Sequence, residues 1–523
     1  MSKDNTTADQ LAQVEAARQA TADQARPETV AKCRANSALT ARERIDLLLD
    51  QGSFIESGAL VQPDRSNTLS LNLQAPADGL VCGSGTISQR PLHLLSQDYT
   101  VLGGSIGTVG DRKMCRLLDR AAEDGSPVVM LLEGGGHRIQ DGMNAAHFSA
   151  ASPVFAKLAR LSGWVPSIAA IMGQGFAGPT AYAAMADLVI MIKGKSTMGM
   201  AGPALVKAGT GETIDALDLG GTRRQVGGTG IADFAVDSEE ECMTIIRRYL
   251  SYLPANAGEQ PPAVECTDPV DRMEDALLEL VTADTRKVYD MCRAIDLIAD
   301  RDSVFELKPQ YARNLITAFA RLGGRPVGFI ANQPLRKGGM LDAAACEKAA
   351  HFIAVCDAYG LPLVSLIDVP GIAIGPAAED TGIGRRSGRL FYEMAQATVP
   401  LVSITLRKGY GGGYYAMGGG RGFNPNASFA WPTAEICAMS IEGAVDVAYR
   451  RTFEDSEDPA ASRQAMIDGI RLQTDALNAA SDFGIDDVID PRHTRRRLIE
   501  TFNRSALRRP DPNSGRRRSI SPI

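Results

Sequence analysis

The sequence contains an internal repeat that constrains its fold more than any other feature. With an offset of 235, residues 90–92 align with 325–327, Gly103 and Gly104 with Gly338 and Gly339, Lys113 with Lys348, and 131–136 with 366–371. After a connecting loop the offset is 234, and 165–166 and 173–178 align with 399–400 and 407–412. Because chance rarely maintains one offset over about 85 residues, we predict two copies of one domain, each with two apolar strands followed by glycine-rich loops.

Composition excludes several classes of protein. A chain of 523 residues with 44% hydrophobic content is long enough to bury two cores, and its net charge of -7 argues against general nucleic-acid binding. The nine scattered cysteines form no CxxC pair and the five histidines show no ligand spacing, so we predict reduced thiols and no metal site. No apolar run reaches about 18 residues and no signal peptide is recognisable, which predicts a cytoplasmic protein without a membrane segment.

Changes in composition suggest the domain boundaries. Residues 1–36 are predicted to be a frayed helix or a disordered tail, and Thr40 is a plausible N-cap of the first ordered helix. We predict a first domain over 37–256, a proline-containing linker over 254–269, a second domain over 270–500 and a basic tail over 501–523. For the arginine clusters at 495–497, 508–509 and 516–518 we favour solvated side chains over docking on an acidic partner.

Each repeat is predicted to start with β structure and continue with βα units. The first has strands at 92–96, 128–132 and 167–172 and a helix at 111–123, and the second has strands at 327–331, 363–367 and 401–406 and a helix at 342–358. Strand, glycine loop and helix in succession imply an α/β fold with parallel crossovers. Ligands of such sheets bind at the carboxyl ends of the strands, where all four glycine loops lie.

Two glycine turns that face one point can direct backbone N–H groups at an oxygen, because only glycine tolerates the required dihedral angles and the close approach. Such a pair stabilises a developing oxyanion, for example a thioester enolate. The alternative is that the glycines only form tight strand–helix turns and bind no ligand. We favour the oxyanion site, because all four loops are paired in the same way in both repeats. A phosphate loop is disfavoured, since residues 133–138 (EGGGHR) lack the Lys-Ser/Thr ending.

The motifs resemble those of the carboxyltransferase (β) subunits of biotin-dependent acyl-CoA carboxylases, the propionyl-CoA and methylcrotonyl-CoA carboxylase family. The match runs from about residue 39 to about 497, and its motifs include 41–45 (ARERI), 97–105 (QDYTVLGGS), 202–207 (GPALVK), 368–371 (DVPG), 407–413 (RKGYGGG) and 430–435 (AWPTAE). The resemblance implies two tandem crotonase-like domains, a hexamer of β subunits, and active sites between the first domain of one subunit and the second of another.

The resemblance also implies the chemistry. Carboxybiotin delivers CO2 to the carbon beside an acyl-CoA thioester, and two oxyanion holes hold the thioester enolate and the ureido oxygen. By motif the first hole uses Gly136, His137, Ala177 and Gly178, on the acyl-CoA side, and the second uses Gly371, Ile372, Gly412 and Gly413, on the biotin side.

The sequence departs from the usual family motifs at several positions. Glu133-Gly134-Gly135-Gly136-His137-Arg138 stands where Asp-Ser-Gly-Gly-Ala-Arg is usual, and Ala177-Gly178-Pro179 where Gly-Gly-Ala is usual. Pro179 has no N–H to donate. Tyr415 replaces a smaller or acidic residue at a position associated with acyl preference. The departures suggest an unusual acyl-CoA, or a subunit that has lost catalysis.

Two further residues have alternative interpretations. His137 is predicted to be a capping or packing residue at a helix start, or to contact the acyl group of the substrate. Lys207 is predicted to reach a CoA phosphate as a point charge or to be a solvated helix residue, and the sequence favours neither.

The chain contains neither a biotinylation site nor an ATP-grasp signature, so it needs a biotin carboxylase and a biotin carrier, the α subunit, as partner. Biotin would therefore be carried on that partner. The alternatives are the corresponding subunit of a biotin-linked decarboxylase, a catalytically silent scaffold subunit, and a biotin-independent crotonase-like hydrolase or isomerase. The last is weakest because it requires a catalytic carboxylate that the motifs do not identify.

Overall fold

The computed structural model describes residues 6–70, 72–508 and 518–522. Contacts between residues divide the chain into two compact units, with the division between Glu259 and Gln260. None of the helices in the described residues is both long and apolar enough to cross a lipid bilayer.

The first unit contains eight strands and eleven helices within the described residues. Its strands are β1 Ile55–Glu56, β2 Leu80–Ile87, β3 Arg90–Gln97, β4 Val128–Gly134, β5 Ser167–Phe176, β6 Leu188–Ile192, β7 Thr197–Gly199 and β8 Phe234–Val236. Its helices are α1 Thr7–Gln19, α2 Pro27–Ala35, α3 Ala41–Leu48, α4 Thr108–Asp124, α5 Ile139–Gly142, α6 Ala145–Ser149, α7 Val154–Leu161, α8 Gly178–Ala183, α9 Pro203–Thr210, α10 Ala216–Gly220 and α11 Glu239–Tyr252.

The second unit repeats this architecture. Its strands are β9 Phe305–Leu307, β10 Leu315–Leu322, β11 Arg325–Asn332, β12 Leu363–Val369, β13 Leu401–Tyr410, β14 Ala427–Ala430, β15 Glu435–Cys437 and β16 Asp487–Val488. Its helices are α12 Ala276–Leu280, α13 Met291–Ile298, α14 Ala343–Tyr359, α15 Pro376–Glu379, α16 Ile383–Gln396, α17 Gly411–Ala416, α18 Ile441–Ala448, α19 Arg450–Glu454, α20 Pro459–Arg471, α21 Ala476–Ser481 and α22 Thr494–Arg504.

Each unit is built on one mixed sheet. In the first the order is β1-β2-β3-β4-β5-β6-β8, with β7 beside β5, and in the second it is β16-β14-β13-β12-β11-β10-β9, with β15 beside β13. In each unit the first three strands in chain order, β1–β3 and β9–β11, pair antiparallel, and the later strands pair parallel. The long strands before the glycine turns are buried on both faces, as is typical of parallel strands covered by helices.

The repeat extends to individual side chains. Nζ of Lys113 donates to the Ala77 carbonyl oxygen at 3.0 Å, and Nζ of Lys348 donates to the Tyr311 carbonyl oxygen at 3.0 Å, so each buried lysine satisfies a carbonyl group in the segment in front of a strand. Burial lowers the pKa of Lys113. The predicted two-copy α/β fold is therefore confirmed.

The predicted strands and helices are found at the expected positions. For example, the helix predicted at 111–123 is α4, and the strand predicted at 128–132 lies within β4. Thr40 caps α3, since its side chain accepts from the Glu43 amide and Glu43 bonds back to the Thr40 amide. Residues 1–36 are predicted to form a frayed helix or a disordered tail. The structure differs around Arg26, which contacts the rest of the first unit, since its Nη2 lies 3.0 Å from Asp98 Oδ2.

The prediction of solvated arginines near the C-terminus is wrong for Arg495 and Arg518, whereas Arg508 is exposed as predicted. Arg495 is buried and donates to the carbonyl oxygens of Pro269 and Ile298, at 3.0 and 3.2 Å. Arg508 donates to Thr398 Oγ1 at 2.8 Å.

Arg518 pairs with Glu393. The runs of arginine did not predict these contacts, because the residues that accept the hydrogen bonds lie far away in the sequence. Arg509, Arg516 and Arg517 lie outside the described residues.

Candidate functional site

The two glycine turns of the first unit meet at one point. Gly136 follows β4 with φ +95°, a conformation that favours glycine. A β-carbon built on Gly136 would lie 3.0 Å from Ala177 Cβ and 3.4 Å from the Gly178 nitrogen. The predicted first set of residues, Gly136, His137, Ala177 and Gly178, is therefore brought together at the carboxyl ends of β4 and β5.

Two backbone amides at this point are free to bind an oxygen. Ile106 forms a β-bridge with His137, in which the Ile106 amide donates to the Gly136 oxygen at 2.9 Å and the Arg138 amide to the Ile106 oxygen at 2.8 Å. The His137 amide therefore points away from this bridge. Neither it nor the Gly178 amide has an acceptor among the described residues.

The second unit repeats the arrangement. The Leu341 amide donates to the Gly371 oxygen at 3.0 Å, and the Ala373 amide to the Leu341 oxygen at 2.8 Å, which leaves the Ile372 amide between them. A β-carbon on Gly413 would lie 3.0 Å from Gly371, and one on Gly412 would lie 3.4 Å from Ile372 Cδ1. The amides of Ile372 and Gly412 have no acceptor within the part of the chain that the structure describes.

Only one member of each amide pair opens a helix. Gly178 is the first residue of α8 and Gly412 the second of α17, so the positive ends of these helix dipoles lie at the turns. His137 does not stand at a helix start as predicted, because it belongs to the β-bridge and α5 begins at Ile139.

Ala177 has an unusual backbone conformation for an alanine. Its φ of +60° matches the +55° of Gly411, the residue that aligns with it in the second repeat. The Ala177 amide donates to the Gly199 oxygen at 2.8 Å and is therefore not free. The departure at Pro179 removes no donor from the pair formed by His137 and Gly178, since Pro179 follows both turn residues.

A buried carboxylate precedes each turn, and each repeat neutralises it with a different arginine. In the first unit Arg44, from α3, places Nη1 2.5 Å from Glu133 Oε2. In the second unit Arg407, from β13, places Nε 3.1 Å from Asp368 Oδ2. Gly173 aligns with Arg407, and a β-carbon there would lie 2.2 Å from Glu133 Oε1. These ion pairs fix the strand ends that carry the turns, and the sequence did not reveal them.

A second buried acid, Asp111, also escaped the sequence analysis. It is 6% exposed, and its Oδ1 has no hydrogen-bond partner among the described residues. Burial raises the pKa of Asp111, and the nearby His137 side chain partly offsets that rise. The pKa of Tyr182 is raised by burial and next by Asp111. Nothing in the sequence marked Asp111, which reads as one polar position of an amphipathic helix.

The remaining predicted site residues lie as follows. The His137 ring packs edge-on against Phe148, with centroids 5.8 Å apart. Lys207 is exposed on α9, a helix without buried residues, and forms no ion pair among the described side chains. Tyr415 is 53% exposed and borders a cavity of ≈ 500 Å³ in the second unit, whose other lining residues include Asp475 and Asp482. That cavity is not lined by the glycine turns.

In the described residues, no group of three or more His, Cys, Asp or Glu side chains is arranged to hold a metal ion. At the glycine turns the geometry offers backbone donors. Two amides converge in each unit, at a strand end made rigid by a buried ion pair, and such donors stabilise negative charge on an oxygen.

Comparisons with known proteins agree with this geometry. The carboxyl transferase domain family matches residues 32–518. The propionyl-CoA carboxylase carboxyltransferase subunit of Haloferax mediterranei is 39% identical over 463 residues, which cover 88% of this chain and 89% of that protein. The methylmalonyl-CoA decarboxylase subunit alpha of Propionigenium modestum is 37% identical over 475 residues, 91% of each chain.

Among solved structures, the transcarboxylase 12S subunit, crystallised as a hexamer with methylmalonyl-coenzyme A and methylmalonic acid bound, superimposes with a TM-score of 0.91 at 36% identity and covers 99% of both chains. The predicted crotonase-like fold and the predicted family are confirmed. The chain belongs to the carboxyl transferase domain family and is an enzyme, a carboxyltransferase subunit of the biotin-dependent acyl-CoA carboxylases.

Proposed function

We propose that this chain transfers a carboxyl group from carboxybiotin, carried on a partner, to the α-carbon (or the vinylogous carbon) of an acyl-CoA. The observation that carries the proposal is the pair of free amides in each unit, His137 with Gly178 and Ile372 with Gly412. Carboxyl transfer to a carbon beside a thioester develops negative charge on the thioester oxygen. One well-placed backbone donor contributes about 3 kcal/mol to the stabilisation of such an oxygen.

The first unit is proposed to hold the thioester. The amides of His137 and Gly178 would donate to the thioester oxygen as negative charge accumulates there, and the Arg44–Glu133 ion pair would keep the turn in place. Because the donors belong to the backbone and the strand end is rigid, they need little reorganisation during the reaction. Lys207 remains a candidate for contact with a CoA phosphate, which its exposure allows.

The second unit is proposed to hold the biotin ring, and its residues fit that group. A β-carbon on Gly371 would meet no atom within 4 Å, so the space beside the Ile372 amide is open to a ligand oxygen. A neutral ureido ring presents a carbonyl oxygen, the acceptor that two converging amides require. Carboxybiotin supplies the carboxyl group when bound. Gly371, Ile372, Gly412 and Gly413 would orient the ring and bind its oxygen.

Partners and assembly are proposals that rest on the relatives. We propose a biotin carboxylase and biotin carrier, on one α chain or two, as the source of carboxybiotin. The transcarboxylase 12S subunit assembles as a hexamer, and at 36% identity over 99% of both chains we propose the same for this protein. All nine cysteines are free, which supports a reducing cytoplasmic location.

The substrate is proposed to be a short-chain acyl-CoA, since the relatives named above are a propionyl-CoA carboxylase subunit and a methylmalonyl-CoA decarboxylase subunit. Decarboxylation is the second candidate, because the Propionigenium modestum protein is nearly as similar as the carboxylase subunit. A silent scaffold is disfavoured, since the departures at Ala177 and Pro179 leave the His137 and Gly178 amides free.

The test is purification of the chain from its native host with its associated proteins. We expect a biotin-bearing chain in the complex and incorporation of labelled bicarbonate into an acyl-CoA that depends on ATP. Release of CO2 from methylmalonyl-CoA without ATP-dependent fixation would support the decarboxylase. A complex without biotin, or one active on no CoA thioester, would contradict the proposal.

A further inference from the structure

A buried carboxyl group lies beside the first pair of turns, and the proposed chemistry does not use it. Asp111 is 6% exposed, and its Oδ1 has no hydrogen-bond partner among the described residues. A buried polar atom that is left unpaired destabilises the folded protein. Such atoms are rare in native proteins, and a ligand that supplies the missing contact is one reason to retain one.

The chain connects Asp111 to the first pair of turns through Ile106. It lies in the first turn of α4, where its amide donates to the Gly107 oxygen at 2.9 Å, and Ile106, one residue before Gly107, is bridged to His137. A β-carbon on Gly178 would lie 3.3 Å from Ile106 Cδ1 and 3.7 Å from Tyr182 Oη. Ile106, two residues before α4, and Tyr182 therefore border the first pair of turns, and Asp111 is close enough to His137 and Tyr182 to interact electrostatically with both.

Electrostatic effects link the same three side chains. The His137 side chain lowers the pKa of Asp111, although burial has the larger effect and raises it, and Asp111 in turn raises the pKa of Tyr182. A carboxyl group whose pKa is raised by burial retains its proton to higher pH. In either protonation state the unpaired Oδ1 can accept a hydrogen bond from a hydroxyl group.

The chemistry of these groups selects one kind of ligand. A hydroxyl group donates one hydrogen bond and accepts another, which matches a carboxyl group beside an imidazole or a phenol. An alkyl group would leave Oδ1 of Asp111 unpaired, and a carboxylate would meet a second acid. An ammonium group would require Asp111 to ionise, which burial opposes.

We propose that Asp111, with His137 and Tyr182, binds a hydroxyl group on the acyl chain, so that the substrate is a short hydroxyacyl-CoA. The proposal rests on the proposed function, because it takes the amides of His137 and Gly178 to hold the thioester. Asp111 is then a residue that determines specificity.

The test compares two CoA thioesters that differ by one hydroxyl group, propionyl-CoA and 3-hydroxypropionyl-CoA. Their dissociation constants for the full-length protein are measured by titration calorimetry, which requires no biotin. We expect the hydroxyacyl thioester to bind at least about tenfold more tightly, and Asp111→Ala to reduce that preference below about threefold. Asp124→Asn, a carboxylate at the other end of α4, is the matched control and should keep the preference.

The other outcomes are equally decisive. Equal affinity of the wild-type protein for both thioesters, or an unchanged preference in Asp111→Ala, would overturn the proposal. Tighter binding of 3-aminopropionyl-CoA than of 3-hydroxypropionyl-CoA would show that the site prefers a cationic group to a hydroxyl group, and would also overturn the proposal. If neither propionyl-CoA nor 3-hydroxypropionyl-CoA binds, the proposed function itself fails. Asp111→Leu, which removes the polar atoms but fills a similar space, replaces Asp111→Ala if the latter does not fold.

Discussion

Arg407 and Asp368 form a buried ion pair at the end of β12, with Nε of the arginine 3.1 Å from Oδ2 of the aspartate. Both side chains are fully buried. The first repeat meets the same requirement differently, since Glu133 aligns with Asp368 but is neutralised by Arg44 from α3. Two copies of one domain have therefore retained the buried acid and changed the origin of its partner.

Arg407→Ala is expected to destabilise the protein strongly. Among the described residues, Lys408 would then be the one remaining ion-pair partner of the buried Asp368 carboxylate, and breaking such a pair costs about 3–5 kcal/mol. Denaturant unfolding monitored by circular dichroism measures the change. Arg463→Ala is the matched control, because both Arg463 and its partner Asp446 are accessible to solvent and such surface pairs contribute little to stability. Equal losses in both variants would contradict the role of Arg407.

Ala177→Gly is expected to stabilise the first unit. Ala177 has φ +60°, where a β-carbon is strained, and glycine removes the strain, so we expect a gain of about 1 kcal/mol in the free energy of unfolding. Gly411→Ala is the reciprocal change. Its β-carbon would lie 2.7 Å from the Ala438 oxygen, which predicts a clear loss. A loss of stability in Ala177→Gly would show that the alanine is not strained.

The stability of the protein should depend on pH through Asp111. Burial raises the folded-state pKa of Asp111 above its unfolded value. The contribution of protonated Asp111 to the free energy of unfolding is therefore fully present below the unfolded pKa, near 4, and is lost as the pH rises through the folded pKa. Asp111→Asn removes this titration. The difference in unfolding free energy, variant minus wild type, should therefore increase from pH 4 upward, which urea unfolding over a pH series measures. A constant difference would show that Asp111 does not titrate in this range.

Acyl preference is expected to depend on His137 and Tyr415. His137 belongs to the first glycine turn, and Tyr415 lies in α17, which begins at the second glycine turn. Truncating these polar side chains should reduce the free-energy penalty of placing a plain acyl chain beside them, by about 1–3 kcal/mol. His137→Ala combined with Tyr415→Ala should therefore raise kcat/KM for propionyl-CoA relative to the best hydroxyacyl thioester. Each single variant identifies the contribution of its own unit. If the ratio is the same in all variants, the segment after Gly371 becomes the next candidate.

Much of the fold could be predicted from the sequence, because the repeat aligned the glycine turns and the strands in front of them. Gly136 and Gly371 were identifiable because glycine occupies both aligned positions, and both have the positive φ that favours glycine. The continuous hydrophobic runs at 128–132 and 363–367 identified the central strands, because strands that are buried on both faces show no alternation of apolar and polar residues.

Long-range polar contacts could not be predicted in this way. Arg44 and Glu133 are 89 residues apart in the sequence, and nothing in the local pattern around either residue indicates the other. Asp111 occupied a position on a predicted amphipathic helix where exposed and buried acids look alike. Arg495 appeared solvated because the sequence gives no sign of the carbonyl oxygens that it contacts.

The most direct test of the amide pairs is carboxyl transfer by Gly412→Val in the assembled complex. A β-carbon at Gly412 would make only ordinary contacts, the nearest 3.4 Å from Ile372 Cδ1, so the fold should tolerate valine while its side chain fills the space proposed for a ligand oxygen. Gly469→Val, on α20 with no atom within 4 Å of its β-carbon, is the control. We expect the control to keep its activity and Gly412→Val to assemble normally with at least about 100-fold lower kcat. Near wild-type turnover by an assembled Gly412→Val complex would contradict the assignment.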